Sequence, residues 1–126
     1  TDFRLHSEWN KELDLSPDEV RRQVAIKTTV ISPIKEDRFL CSFSHIFAGG
    51  YSAGYYSYKW AEVLSADAFA AFEEIDLTCE DQVKLLGKQF RKTILSLGGS
   101  VSPASVFKAF RGRPAQTNAL IRHSGL

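Results

Sequence analysis

From about residue 53 to residue 74 the apolar side chains recur three and four apart: Tyr56, Trp60, Val63, Leu64, Ala68, Ala71 and Phe72. That period is helical, because 3.6 residues per turn bring such positions onto one side. Few polar residues interrupt it, so the spacing predicts a helix apolar over much of its circumference and central to the fold. No strand alternation of any length competes with it, and there is no internal repeat or low-complexity linker. The expected fold is all-α, a bundle of about five helices interrupted by one glycine- and tyrosine-rich loop.

Local start and stop signals place the other helices. Residues 1–9 read as the end of a helix. Ser16-Pro17-Asp18-Glu19 is a helix start, with Ser as N-cap, Pro in the first turn and Glu three residues on to complete a capping box. Val20, Val24 and Lys27 or Thr28 follow at helical spacing. The β-branched run at 28–31 leaves the end open, with Pro33 as the expected stop. Residues 32–39 are polar and charged and read as a surface connection. Thr78 with Asp81 suggests an N-cap, ahead of a stripe of Val83, Leu86, Phe90, Ile94 and Leu97 that Gly98-Gly99 should halt. Ser102-Pro103 opens a short helix carrying Val106, Phe107 and Phe110 and closed by Gly112, and residues 114–123 form a last one, ended by Gly125.

Composition narrows the setting. At 126 residues a single domain, 1–126, is expected, large enough to build a core without staples. A net charge of +1 gives no electrostatic case for nucleic acid or an anionic membrane. No apolar run is long enough to cross a bilayer and no signal peptide is visible. Cys41 and Cys79 stand alone, which points to reduced thiols and a cytoplasmic or organellar-matrix setting, with a disulfide between them left as the less favoured outcome.

The chemistry concentrates in Phe43-Ser-His-Ile-Phe-Ala-Gly-Gly-Tyr-Ser-Ala-Gly-Tyr-Tyr-Ser-Tyr-Lys-Trp60. Between His45 and Tyr58 lie three glycines and four tyrosines. Glycine admits positive φ and close approach of backbone to ligand, and tyrosine supplies a phenol that packs and donates a hydrogen bond. Such a run suits a mobile loop that closes on a ligand. Tyr51, Tyr55 and Tyr58 stand i, i+4, i+7, so helix from about Ser52 onward would place all three on one face. The competing reading is a packed loop–helix junction whose aromatics are core.

This segment resembles the C-terminal end of the thimet oligopeptidase and oligopeptidase A family of zinc metallopeptidases, which includes dipeptidyl carboxypeptidase. The resemblance runs through Phe43-Ser44-His45-Ile46-Phe47-Ala48-Gly49-Gly50-Tyr51, Ala53-Gly54-Tyr55-Tyr56-Ser57-Tyr58 and the stretch from Trp60 to Phe69. It continues in Ile94-Leu95-Ser96-Leu97-Gly98-Gly99-Ser100, in Phe107-Lys108-Ala109-Phe110-Arg111-Gly112-Arg113, and in the closing Leu120-Ile121-Arg122-His123-Ser124-Gly125-Leu126. The opening Asp2-Phe3-Arg4-Leu5-His6 matches a further short element. The blocks are collinear over nearly the whole chain, weakest at 7–37 and 76–93.

The family's His-Glu-x-x-His helix, whose two histidines bind zinc while the glutamate activates water, is missing. The histidines here are His6, His45 and His123, far apart and outside any such motif. The resemblance therefore implies a C-terminal portion of a larger helical peptidase, with zinc ligands and general base expected upstream of Thr1, zinc in the parent enzyme and none bound by this chain. It also implies short peptides as substrates and the missing N-terminal part as partner. In that setting Tyr58, then Tyr51, would donate to the tetrahedral oxyanion, and His45 would contact substrate near the scissile bond. Tyr55 would bind peptide, and Gly49, Gly50 and Gly54 would let the loop move.

Other readings of these residues stay open. His45 either contacts substrate or anchors the loop through a backbone carbonyl, and Tyr51 could plug a glycine turn. Tyr56 and Trp60 are expected in the core, His6 and His123 at the surface or at helix caps. Arg111 and Arg113 either complement a helix dipole or clamp a carboxylate, and Glu73, Glu74 and Asp76 read as a solvated end. Three functions follow: the substrate-binding part of a zinc oligopeptidase, inactive by itself; a half-enzyme assembling with a separate zinc-bearing chain or with itself; and a non-catalytic peptide-binding module.

Overall fold

The signals at residues 16–19 are realised atom by atom in the computed structural model, which describes residues 1–12 and 15–126. Ser16 Oγ accepts the Glu19 amide at 3.3 Å, and Glu19 Oε2 accepts the Ser16 amide at 2.9 Å. Two amides that a helix start would leave without partners are thereby satisfied. Seven α-helices and no strand form among the described residues, in two compact units, residues 1–57 and 58–126.

The first unit holds α1 (Asp2–Ser7), α2 (Pro17–Thr28), the single-turn α3 (Phe39–Ser42) and a 3-10 turn (Ser44–Ile46). Helix α2 stops at Thr28, ahead of Pro33, and Thr29 is already extended at φ −120° and ψ 146°. β-branched side chains favour that conformation. The Thr28 and Thr29 hydroxyls also donate to the Val24 and Ala25 carbonyls at 2.9 and 2.8 Å, closing the last turn. The connection that follows is pinned by Arg22, whose guanidinium donates to the carbonyls of Ile34, Lys35 and Asp37 at 2.9 to 3.0 Å. Val20, Ala25 and Ile46 are buried in this unit.

The second unit is built on α4 (Ser57–Glu73), α5 (Glu80–Phe90), α6 (Pro103–Arg111) and α7 (Asn118–His123). Its core gathers Ala68, Ala71, Phe107 and Phe110, with Leu64, Leu86, Phe90 and Ile94 packed against it. Much of the stripe expected on α5 thus reaches the core. A stretch of π-helix, Arg91–Leu95, carries it on, closed by the Ser96 amide to the Arg91 carbonyl at 2.9 Å. Helix α6 ends as expected at Gly112, φ +73°. Cys41 and Cys79 are free thiols.

Several expectations are corrected. Helix α4 begins at Ser57 and not at 53, because residues 51–56 form successive turns. It buries four of its alanines, whereas Trp60 and, just before the helix, Tyr56 are 60 and 58 % exposed and not core. Small side chains let neighbouring backbones approach, so this helix packs through Ala66, Ala68, Ala70 and Ala71. Cys79, not Thr78, occupies the N-cap position of α5, and no side chain caps it: the Thr78 hydroxyl donates instead to Asp76 at 2.6 Å. The last helix starts at Asn118, since Arg113 and Gln116 are drawn instead to a buried carboxylate, Asp67. Glu73, Glu74 and Asp76 are exposed but engaged, Glu73 by Arg122 and His123, Glu74 by Arg111, and Asp76 by Thr78.

Candidate functional site

The 3-10 turn at Ser44–Ile46 sets the direction of His45. Ile46 is fully buried, and a tight turn that drives one side chain inward presents its neighbour outward, leaving His45 exposed. Two glycines follow at φ +73° and +77°, Gly49 and Gly50. A side chain there would meet strain, and at Gly49 a Cβ would also lie 3.4 Å from the Tyr51 ring. This backbone reversal returns the chain so that Tyr51 faces His45.

Three of the expected site residues come together. The His45 ring lies 5.1 Å from that of Tyr51 and 5.7 Å from that of Tyr55, in edge-on geometry, and the two phenol rings are 6.5 Å apart. Phe43 supports the group from behind, its ring 4.6 Å from Tyr55 and perpendicular to it. Edge-to-face pairs of this kind favour a defined orientation as well as burial. Tyr55 remains 38 % exposed, so the cluster offers a ring surface to solvent.

The shared helical face expected for Tyr51, Tyr55 and Tyr58 does not form. The Gly54 amide closes a turn onto the Tyr51 carbonyl at 2.8 Å, and Ala53 takes φ +53°, outside helical space. Tyr51 and Tyr55 are presented by turns of the first unit. Tyr58 belongs to the second, in the first turn of α4, and is 44 % exposed. Gly54 packs against the Tyr51 backbone, where an added Cβ would stand 3.6 Å from the carbonyl oxygen.

A residue not singled out from the sequence holds this loop. The buried carboxylate of Asp2 accepts the Ala53 amide on one oxygen at 2.9 Å and the Tyr55 amide on the other at 3.0 Å. His6 Nδ1 is 2.9 Å from the first oxygen. Burial would raise the Asp2 pKa, but the amides of Tyr55 and Ala53, helped by His6, outweigh it and hold the carboxyl below its ordinary value. Further aromatic contacts, Phe3 with Tyr56 at 5.2 Å and His6 with Phe47 at 5.5 Å, lay α1 against the same loop. The available signal was the Asp2–His6 block. Nothing local marks Asp2 itself, because its partners lie 51 and 53 residues away.

The remaining expectations resolve structurally. Arg113 grips Asp67 through both terminal nitrogens at 2.7 and 2.6 Å, and Arg111 grips Glu74 at 3.0 and 2.7 Å. They clamp carboxylates of their own chain. His123 pairs with Glu73 at 2.9 Å. Chemically, the cluster can present phenol hydroxyls and an imidazole to a polar ligand. Among the described residues no group of three or more His, Cys, Asp or Glu side chains is placed to hold a metal ion, and no helix is long and apolar enough to cross a membrane.

Against known proteins, the profile of Peptidase family M3 matches residues 1–126. The chain is 58 % identical over 125 residues to a probable cytosolic oligopeptidase A of Arabidopsis thaliana, covering 99 % of this chain and 18 % of that protein. It is 47 % identical over 125 residues to oligopeptidase A of Haemophilus influenzae, with the same coverage of each. To the dipeptidyl carboxypeptidase of Escherichia coli it is 32 % identical over 127 residues, again 99 % of this chain and 18 % of the other. The chain thus spans less than a fifth of the length of these relatives.

Proposed function

This chain belongs to peptidase family M3, and from that premise we propose that it is the substrate-side portion of an oligopeptidase catalytic domain, hydrolysing peptide bonds in short peptides in the cytoplasm or an organellar matrix. The observation that carries the reading is the convergence of His45, Tyr51 and Tyr55 on one exposed loop turned by Gly49 and Gly50. Tyr51 and Tyr55 bind the peptide, with Gly49, Gly50 and Gly54 shaping the backbone that approaches it. His45 contacts the substrate near the bond to be cut.

Attack on an amide carbonyl builds negative charge on its oxygen, and a preorganised donor aimed at that oxygen lowers the barrier. A phenol suits the task, being neutral near pH 7 and still a good donor. We assign this to Tyr58, with Tyr51 as second donor. Zinc is the metal we propose for the complete peptidase, where it would polarise the carbonyl and activate water. The described residues do not fit such a site, since among them no acidic, histidine and cysteine side chains gather in a ligand cluster. We propose that metal binding falls to other residues of the complete enzyme, so that the 126 residues alone should cleave nothing.

The test is Tyr58→Phe in the complete peptidase, assayed on a short peptide. Losing one oxyanion donor should lower kcat by about a hundredfold with KM little changed. An unaltered kcat would refute the assignment of Tyr58.

A further inference from the structure

We propose that Asp2 is a positioning residue for the substrate loop, fixing the turn that presents Tyr51 and Tyr55. The inference rests on reading that loop as the peptide-contacting surface. Its own ground is geometric. The two carboxylate oxygens are divided between the amides of Ala53 and Tyr55, at 2.9 and 3.0 Å, while the amide of Gly54, between them, is taken by the Tyr51 carbonyl. Three consecutive amides are therefore satisfied, two of them by one side chain that is 9 % exposed.

The turn needs holding, because Ala53 adopts φ +53° and is the one non-glycine residue at positive φ among the described residues. A Cβ makes that conformation unfavourable, and such strain persists only where the surroundings over-determine it. Charge-assisted bonds on both sides of Ala53 do this. The chemistry is specific to a carboxylate. An asparagine has one acceptor oxygen, and its NH₂ group would face an amide donor where the second oxygen stood. His6, at 2.9 Å, supports the carboxylate from within α1.

In the complete peptidase, Asp2→Asn should raise KM about tenfold while kcat stays within about twofold, the loss expected for one charged hydrogen bond in the turn. Adding Ala53→Gly should recover part of that KM, because glycine accepts positive φ without strain. A purely structural role would instead lower melting temperature and apparent kcat at constant KM, and that result, or an unchanged KM, overturns the proposal. Tyr55→Phe and Tyr58→Phe serve as references. If both leave kcat and KM unchanged, the loop reading falls and this inference with it. If they alter activity and Asp2→Asn does not, only the role of Asp2 falls. Should Asp2→Asn fail to fold, hydrogen exchange on the unaltered enzyme decides: slow exchange of the Ala53 and Tyr55 amides supports the assignment, and exchange as fast as in an open loop overturns it.

Discussion

Asp67 and Asp2 are the buried carboxylates of the described chain, and both are satisfied by groups far away in sequence. Asp67 is 1 % exposed. Arg113 holds it with two bonds, the Gln116 amide adds a third at 2.8 Å, and Arg111 Nε stands 3.4 Å away. The hydrogen bonds from Arg113 chiefly lower its pKa, outweighing burial, with the Gln116 amide and the two guanidinium charges adding to the effect. Because its folded pKa lies below that of an unfolded aspartate, about 3.9, its contribution is complete above that pH. It fades as acid carries the medium down toward the folded value. Thermal melts followed by circular dichroism should show acid destabilisation below about pH 4 that Asp67→Ala reduces, Asp2 and the surface carboxylates held below their ordinary values supplying the rest. At neutral pH the same substitution should cost about 3–5 kcal/mol, since it leaves Arg113 without its counter-ion and Arg111 with Glu74 alone. A neutral-pH loss well under 1 kcal/mol would show the clamp to be dispensable.

The loop of residues 43–56 behaves as an element of its own, and its glycines are not equivalent. Gly49 and Gly50 share positive φ, so alanine at either should destabilise by about 1 kcal/mol. Only at Gly49 would the new Cβ also press on the Tyr51 ring, at 3.4 Å, whereas nothing lies within 4 Å of one at Gly50. Gly49→Ala should therefore raise KM for peptide in the complete enzyme more than Gly50→Ala does, at similar melting temperatures. Equal KM values would mean that Tyr51 does not contact substrate. The contrast with α4 explains what the sequence could convey. Helix starts at Ser16-Pro17 and Ser102-Pro103, the stop at Gly112 and the glycine–tyrosine loop were legible because each depends on atoms a few residues apart. Which face of α4 is buried was not, since it depends on α6 and α7 closing over its alanines while Trp60 and Phe69 stay exposed. Arg113 reaches Asp67 across 46 residues, and Asp2 reaches the loop across more than 50. No local pattern encodes such pairs.

Taken through its whole length, the chain leaves apolar side chains in water on both units. Ile26, Val30, Ile31 and Ile34 follow one another in the first, at 71, 104, 83 and 69 % exposure, and Trp60, Leu85 and Leu95 in the second are each at least 60 % exposed. Scattered exposed hydrophobes are ordinary, but a run of four aliphatics within nine residues implies a covering surface. The relatives are more than five times as long as the segment they share with this chain, so we propose that the rest of the peptidase provides that cover. These 126 residues produced alone would have no such cover. With a net charge of only +1, little electrostatic repulsion opposes contact between copies. Sedimentation velocity on the isolated chain should therefore show mass rising with concentration above the 14.1 kDa of a single copy. Ile26→Glu together with Ile31→Glu should shift that association to higher concentration, because each carboxylate would have to be desolvated in the contact. A chain that remains at 14.1 kDa up to its solubility limit would mean that this aliphatic run is stable in water without a partner.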